Sequence, residues 1–211
     1  MNKMNNKKNI IGLSVVIVIC LSCLIRIPTI AMLIAIPFWI VEVRKKHNKP
    51  ENTAVAFQSM LEGLRKAGWL IFLPVVSGVA AVLLSRLVMP DFYIHVLERT
   101  RPILVINKLP VLVVQLLILA LAEEVVFRGV LQARISTWIR PAYAIAVTSF
   151  FFSIAHYSSG AINIVLYDLF FIFVDSILYG IIFEKTKSVW ACWSSHFLAN
   201  AVGVAIVLFL I

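Results

Sequence analysis

Seven runs of apolar residues, separated by shorter polar segments, make up most of the chain. A helix that crosses a bilayer uses about 20 apolar residues. The runs therefore predict an all-α fold, a polytopic transmembrane helical bundle of about seven spans. They cover residues 10–25, 27–43, 68–89, 109 to about 127, 142–155, 162–183 and 189–211.

The first two runs are short for full spans, and Arg26 and Pro28 lie between them. We favour a helical hairpin that turns at these residues, with a single tilted helix kinked at the proline as the alternative. A cleaved signal peptide is disfavoured, because no small-residue cleavage site follows the first run. Residues 44–66 are polar and charged, and the amphipathic pattern of residues 54–64 predicts a helix on the membrane surface.

Composition excludes a water-soluble domain. Hydrophobic residues make up 62% of the chain, charged residues 14%, and the mean hydropathy is +0.99, which leaves too little polar surface to face water. The net charge of +9 comes from short basic clusters between the apolar runs, so it indicates membrane topology rather than a nucleic-acid partner. Cys20, Cys23 and Cys192 lie in apolar runs without zinc-like spacing, so no disulfide framework is expected.

The basic residues are divided unevenly between the two ends of the predicted spans. If the N-terminus is cytoplasmic, the positive-inside rule is obeyed. We therefore expect a multi-pass protein of the cell membrane with a cytoplasmic N-terminus, and the short chain with compact loops favours a bacterial origin. Five basic residues then lie outside (Arg26, Arg86, Arg99, Arg101, Lys108), and 14 lie inside (Lys3, Lys7, Lys8, Arg44, Lys45, Lys46, Lys49, Arg65, Lys66, Arg128, Arg134, Arg140, Lys185, Lys187).

Ionisable side chains inside apolar helices are costly and point to function. Glu123 and Glu124 are adjacent, so on a helix they point about 100° apart and are not expected to face the same partner. Glu124 and Arg128 are spaced i,i+4 and can form an ion pair, which leaves Glu123 as the candidate acid or base. A solvated salt bridge at a cytoplasmic helix end is the alternative.

His156 lies near the end of the next apolar run. If the chain turns at Arg140 and Pro141, then Glu123 lies 17 residues before the turn and His156 lies 16 after it. Both are then roughly 24 Å from the turn along their helices, so the two side chains are expected to meet. A hydrogen-bonded core histidine without a catalytic role is the alternative.

His196 and Asn200 are spaced i,i+4 and share one helix face. His196 lies only nine residues beyond Lys187, which places it at a shallower depth than Glu123. The depths agree if residues 129–139 form an amphipathic helix that projects into the cytoplasm. The site is then expected several ångströms inside the cytoplasmic face.

Three segments together resemble the signature motifs of the CAAX protease and bacteriocin-processing family of intramembrane endopeptidases. They are Glu-Glu-x-x-x-Arg at 123–128, Phe-x-x-x-His at 152–156 and His-x-x-x-Asn at 196–200. Lys-Ser-Val-Trp-Ala at 187–191 adds to the likeness, which covers roughly residues 104–208. With the polar linker as the boundary, we expect an N-terminal hairpin and cytoplasmic amphipathic linker, 1–66, and a membrane protease core, 67–211, with its catalytic part in the last four helices. The resemblance does not extend to residues 1–66.

The family implies hydrolysis of a peptide bond in a membrane-associated protein or peptide, as in CAAX processing, bacteriocin or leader-peptide processing, or self-immunity. Its motifs imply four catalytic residues. Glu123 and His156 would activate water, and His196 and Asn200 would stabilise the oxyanion. Glu124 and Arg128 would support the site.

The chemistry leaves alternatives open. We expect no cofactor, because no His-Glu-x-x-His motif is present and Asn200 is a poor zinc ligand. If a zinc ion were used, Glu123, His156 and His196 would bind it. A non-catalytic peptide-binding or immunity protein on the same scaffold is one rival. A transporter with a proton path through Glu123, Asp168 and Asp175 is another, although for the two aspartates buried protonated carboxyls without a catalytic role are favoured.

Overall fold

The computed structural model describes residues 2–46, 53–100 and 108–209, with the side chains of 9–45, 58–100 and 108–206. The regular structure of these residues is entirely helical, as predicted. A 3-10 helix, Gly68–Phe72, joins α3 to α4, and a π-helical segment, Val125–Gln132, joins α6 to α7. The α-helices are α1 Asn2–Leu24, α2 Pro28–Lys46, α3 Thr53–Ala67, α4 Leu73–Val88, α5 Phe92–Thr100, α6 Leu109–Glu124, α7 Ala133–Ile135, α8 Pro141–Ala155, α9 Ile162–Thr186 and α10 Val189–Phe209.

The described helices form a transmembrane bundle, and each apolar run of the sequence coincides with one of them. Within the described residues, four helical stretches are long and apolar enough to cross a membrane, whereas Asn9–Leu24 and Pro141–Ala155 are apolar but shorter. The four are Gln58–Val88, Leu109–Ile135, Ile162–Thr186 and Val189–Ile206.

The first two runs form the hairpin rather than one kinked helix. Arg26 adopts a left-handed conformation with φ of 61°, which turns the chain, and Pro28 begins α2, where its missing N–H costs no helical hydrogen bond. Ile19 of α1 and Ala35 of α2 are both fully buried in one apolar cluster. This cluster also contains residues of the π-helical segment, so the hairpin packs on the rest of the bundle.

The linker is described only in part. Its final portion is helical, and Gly63 of α3 lies so close to α10 that an added Cβ would be 2.7 Å from Ser188 Oγ. The described end of the predicted surface helix therefore packs on the bundle. Residues 47–52 of the linker, 104–107 of the motif region and 210–211 lie outside the described residues, as do the side chains of Lys3, Lys7, Lys8, Lys46, Lys49 and Arg101.

The first part of residues 129–139, the segment expected to project into the cytoplasm, packs on other helices, and its position relative to the membrane stays a prediction. Gln132 is fully buried and donates a hydrogen bond to the carbonyl of Gly180 in α9, 3.0 Å away. Arg134 pairs with Glu42 of α2 at 2.5 Å. The polar residues that suggested a solvated face instead contact other helices, which no periodicity within the segment reveals.

Candidate active site

Three helices bring Glu123, His156 and His196 together. Glu123 lies at the end of α6, His156 follows the last residue of α8, and His196 lies in the second turn of α10. Glu123 Oε2 is 3.5 Å from His156 Nε2 and 3.7 Å from His196 Nε2. Residues 73 positions apart in sequence thus meet at one carboxylate oxygen.

The meeting of Glu123 with His156 follows from the turn at Arg140. Arg140 has an extended backbone, with φ of −60° and ψ of 143°, directly before Pro141, which begins α8. A residue before proline avoids the α-helical conformation, so the preceding helical stretch ends and the chain reverses. The expectation that Glu123 and His156 lie at one depth is thereby confirmed.

Glu124 and Arg128 form an ion pair inside the protein. Arg128 Nη1 donates to Glu124 Oε1 at 2.9 Å, and both side chains have 0% exposure. Arg128 Nη2 donates to Ser176 Oγ at 2.8 Å and to the Ser176 carbonyl at 3.0 Å. The predicted i,i+4 pair is present, and the alternative of a solvated salt bridge is wrong. Arg128 also ties the π-helical segment to α9.

His196 contacts both glutamates, contrary to the expectation that they face different partners. Its Nδ1 is 2.7 Å from Glu124 Oε1, while its Nε2 faces Glu123. The two ring nitrogens lie on different edges of the imidazole, so one ring can bridge two side chains that diverge on their own helix. Glu124 is therefore both the partner of Arg128 and a partner of His196.

The neighbours of the two histidines assign their protons. His156 Nδ1 lies 2.8 Å from the carbonyl oxygen of Phe152, which can only accept, so Nδ1 carries the hydrogen. His196 Nδ1 faces the Glu124 carboxylate that also accepts from Arg128, so it too is the donor. In the neutral ring, His156 Nε2 is then an acceptor beside Glu123, whereas His196 Nε2 accepts in the neutral ring and donates in the doubly protonated one. A water molecule, which donates two hydrogens, suits Glu123 and a neutral His156 as acceptors.

Aromatic rings fix the orientation of the two imidazoles. The ring of Phe152 packs on His156 with centroids 4.5 Å apart and contacts His196 edge-on at 5.8 Å. Tyr179 stacks on the other side of His196 at 4.7 Å, with 22° between the planes. The Arg128 guanidinium lies over both aromatic rings, 4.7 Å from the Phe152 centroid and 5.1 Å from that of Tyr179, as in cation–π contacts.

Exposure decreases steadily across the site. The side chains of His156 and Glu123 are 28% and 19% exposed, whereas His196 is 5% exposed and Glu124 and Arg128 are fully buried. Glu123 and His156 therefore form the accessible side of the cluster. Asn200, one turn beyond His196 on α10, is half-buried.

The two aspartates of α9 have different surroundings. Asp168 is buried, and its carboxylate lies 3.0 Å from Arg99 Nη1. This partner lies on α5, far away in sequence. Asp175 interacts electrostatically with His196. It lies beside Ser77 of α4, and neither Asp175 Oδ1 nor Ser77 Oγ has a well-formed hydrogen bond.

Sequence reasoning missed Ser176 and Tyr179, which support Arg128 and His196 from α9. Their one signal is Gly180, a glycine inside an apolar helix, which often marks close helix packing. A Cβ on Gly180 would be 2.9 Å from Ile145 Cγ2 of α8. The close approach of α8 and α9 follows from this glycine.

The alternative zinc ligands are the same three residues, Glu123, His156 and His196. Within the described part of the chain, no group of three or more His, Cys, Asp or Glu side chains has an arrangement suited to a metal ion. Zinc binding by these residues therefore stays a prediction from sequence.

Comparison with known proteins gives one relevant result for this region. A family model described as Type II CAAX prenyl endopeptidase Rce1-like matches residues 105–202. The matched stretch includes Glu123, His156, His196 and Asn200. Comparisons with curated proteins and with solved structures gave no match.

Proposed function

We propose that this membrane protein hydrolyses a peptide bond of a membrane-associated protein or peptide, because residues 105–202 match the model of the Rce1-like CAAX prenyl endopeptidases. One observation carries the proposal for the mechanism. Glu123 Oε2 lies within 3.7 Å of the Nε2 atoms of two histidines from two other helices. This cluster is within reach of a substrate, because Glu123 and His156 are partly exposed.

In the proposed reaction, Glu123 and His156 bind and activate the attacking water. The water donates one hydrogen to Glu123 and one to His156 Nε2, and Glu123 takes a proton as the oxygen attacks the peptide carbonyl carbon. The carbon–nitrogen bond then breaks, and the same proton passes to the leaving amine. General acid–base catalysis of this kind contributes about 10²–10⁴-fold to a rate.

His196 and Asn200 are proposed to stabilise the oxyanion of the tetrahedral intermediate. Because His196 Nδ1 already donates to Glu124, the ring can donate to the oxyanion only when Nε2 is protonated as well. Glu123, Glu124, Arg128 and a doubly protonated His196 sum to zero charge, which suits a site in the membrane. The Asn200 amide would supply a second donor, and each such donor is worth about 3–4 kcal/mol.

The mechanism is proposed to be of the glutamate type, with no metal. Glu123 and His156 supply the base without one, and Glu124 already has two partners, Arg128 and His196. A chelator should therefore leave cleavage unchanged. Loss of cleavage with the chelator, and recovery on addition of zinc, would instead support zinc bound by Glu123, His156 and His196.

The proposed substrates are a CAAX-type tail, a bacteriocin or another peptide with a leader. The unequal distribution of basic residues supports a cytoplasmic N-terminus, and a bacterial cell membrane is the proposed location. Such a peptide would contact the membrane around the bundle, and no nucleic acid would take part.

Comparative peptidomics of membranes tests the proposal and does not require an identified substrate. Cells with the wild-type protein should contain peptides that are absent from cells with Glu123→Gln, which keeps the shape of the side chain but removes the base. Glu42→Gln is the matched control, because Glu42 pairs with Arg134 on another part of the bundle. Identical peptides in wild type and Glu123→Gln, with both proteins inserted, would favour the peptide-binding or immunity alternative.

A further inference from the structure

The N-terminal hairpin contacts the residue that follows His156. The guanidinium carbon of Arg26, at the turn between α1 and α2, lies 3.8 Å from the centroid of the Tyr157 ring. A cation within about 6 Å of a ring centroid is attracted by the π-electrons of the ring. Arg26 precedes the stretch 105–202 that the family model matches, so this contact joins a part of the chain outside that stretch to the candidate active site.

The backbone around His156 is held by few hydrogen bonds. The helix α8 ends at Ala155, and His156 has φ of −96° and ψ of 5°, outside the helical range. Its N–H donates to the carbonyl of Ser153, and the N–H of Tyr157 donates to the carbonyl of Ile154, both at 3.0 Å. Helix ends open more readily than helix interiors. The direction of the His156 side chain therefore depends on what restrains the segment that follows.

The hairpin also packs on the aromatic ring that orients His156. Ile19 of α1 is fully buried in one apolar cluster with Phe152 of α8, and the Phe152 ring packs on His156 with centroids 4.5 Å apart. The hairpin thus reaches His156 by two routes, through the apolar cluster and through Arg26. Arg26 is exposed and is not part of the cluster, so a substitution there leaves the first route intact.

The backbone of Arg26 indicates that its side chain has a role at the turn. Arg26 has φ of 61°, in the left-handed region that residues with a Cβ adopt only at a steric cost. Glycine adopts this conformation without that cost, so the turn alone would favour glycine. Such strain persists where the surroundings hold the residue in place. The contact with Tyr157 is what an arginine side chain adds here.

We propose that Arg26 is a positioning residue for His156, so that the N-terminal hairpin helps to hold the candidate active site together. The inference rests on the proposed endopeptidase function, in which His156 binds the attacking water. The guanidinium restrains the Tyr157 ring, and Tyr157 is bonded directly to His156. Loss of this restraint lets His156 Nε2 move away from Glu123 Oε2, which lies 3.5 Å from it. A base acts only within hydrogen-bond reach of the water that it activates.

The first measurement does not depend on cleavage. Hydrogen–deuterium exchange of the full chain in nanodiscs, followed by mass spectrometry, reports the amides of His156 and Tyr157, whose hydrogen bonds break when the segment opens. Arg26→Met removes the cation and keeps a long side chain. It should speed exchange of these amides about two- to fivefold, as expected for an exposed cation–π contact. Arg44→Met removes an exposed arginine at the other end of the hairpin and should leave their exchange unchanged.

Variants of Tyr157 test whether its ring is the partner of Arg26. Tyr157→Phe keeps the ring and should exchange as wild type does. Tyr157→Leu removes the ring and should speed exchange at His156 as much as Arg26→Met does. In the Tyr157→Leu background, Arg26→Met should add nothing, because the two changes remove the same contact. Additive effects would overturn the inference, since Arg26 would then act elsewhere.

Arg26→Gly separates positioning from the stability of the turn. Glycine relieves the left-handed backbone, so the Tm of Arg26→Gly should be no lower than that of Arg26→Met. Exchange at His156 should nevertheless be at least as fast as in Arg26→Met, because the cation is absent from both variants. If glycine restored the wild-type exchange rate, Arg26 would serve only the turn, and the inference would be overturned.

Catalysis is measured with the protein in liposomes and the peptide identified by the peptidomics experiment. Arg26→Met should lower kcat about two- to fivefold with KM unchanged, because the restraint acts on the residue that binds water, and Tyr157→Phe should keep both constants. An active wild type whose kcat is retained in Arg26→Met overturns the role of Arg26 and leaves the proposed function in place. A wild-type protein that cleaves no peptide overturns the proposed function and, with it, the catalytic role of Arg26, whatever the exchange shows.

Discussion

Arg128→Met leaves the carboxylate of Glu124 fully buried without its cation. Both side chains have 0% exposure, and Nη1 and Oε1 are 2.9 Å apart. Removal of one partner of a buried ion pair costs about 3–5 kcal/mol. We expect the lower end of this range, because His196 Nδ1 still donates to Glu124 Oε1.

For a chain of this size, 1 kcal/mol corresponds to about 2–4 °C in Tm, so a loss of about 3 kcal/mol lowers the Tm by about 6–12 °C. Thermal unfolding of the purified protein in detergent, followed by circular dichroism, measures it. Glu124→Gln with Arg128→Met removes both charges and should recover part of the loss, since a buried pair is often replaceable as a whole.

Glu42→Gln is the control for this experiment. The Glu42 side chain is 40% exposed, and a partly exposed pair contributes at most about 1 kcal/mol. A Tm of Arg128→Met within 2 °C of wild type (roughly 1 kcal/mol) would refute the reasoning. A double variant less stable than Arg128→Met would refute it too.

Two further predictions concern α9. Gly180→Ala should destabilise the protein by about 1–3 kcal/mol, because the added Cβ would be 2.9 Å from Ile145 Cγ2. Gly78→Ala is the control and should not lower the Tm, because no atom lies within 4 Å of its added Cβ. Equal Tm values for the two variants would contradict the packing. Ser176→Ala removes the hydroxyl that accepts from Arg128 Nη2 at 2.8 Å, and a hydrogen bond to a charged group is worth about 1.5–3 kcal/mol, so an unchanged Tm would show that this bond does not stabilise the bundle.

Periodicity and spacing predicted much of the fold and the site. Apolar runs located the helices because the hydrocarbon core sets their length. The turn at Arg140 and Pro141 predicted that Glu123 meets His156. The two are nearly equally far from the turn in sequence, and every helical residue adds the same rise. The ion pair of Glu124 and Arg128 followed from the i,i+4 rule alone.

Contacts between helices far apart in sequence were not predictable in this way. The pairing of Asp168 with Arg99 joins α9 to α5, and the support of Arg128 by Ser176 crosses 48 residues. Residues 129–139 looked amphipathic, and two of their polar side chains, Gln132 and Arg134, bind other helices. A local sequence pattern does not show whether a polar side chain faces water or is buried against another helix.

The central claim is that Glu123 is the base of a peptide-bond hydrolysis. The most direct measurement is the cleavage rate of a membrane-associated peptide, identified by the peptidomics experiment, by the purified protein in liposomes. We predict that wild type and Glu42→Gln cleave it at equal rates, and that Glu123→Gln lowers kcat by at least about 100-fold while the Tm stays near that of wild type. A folded Glu123→Gln protein with the kcat of wild type would contradict the account.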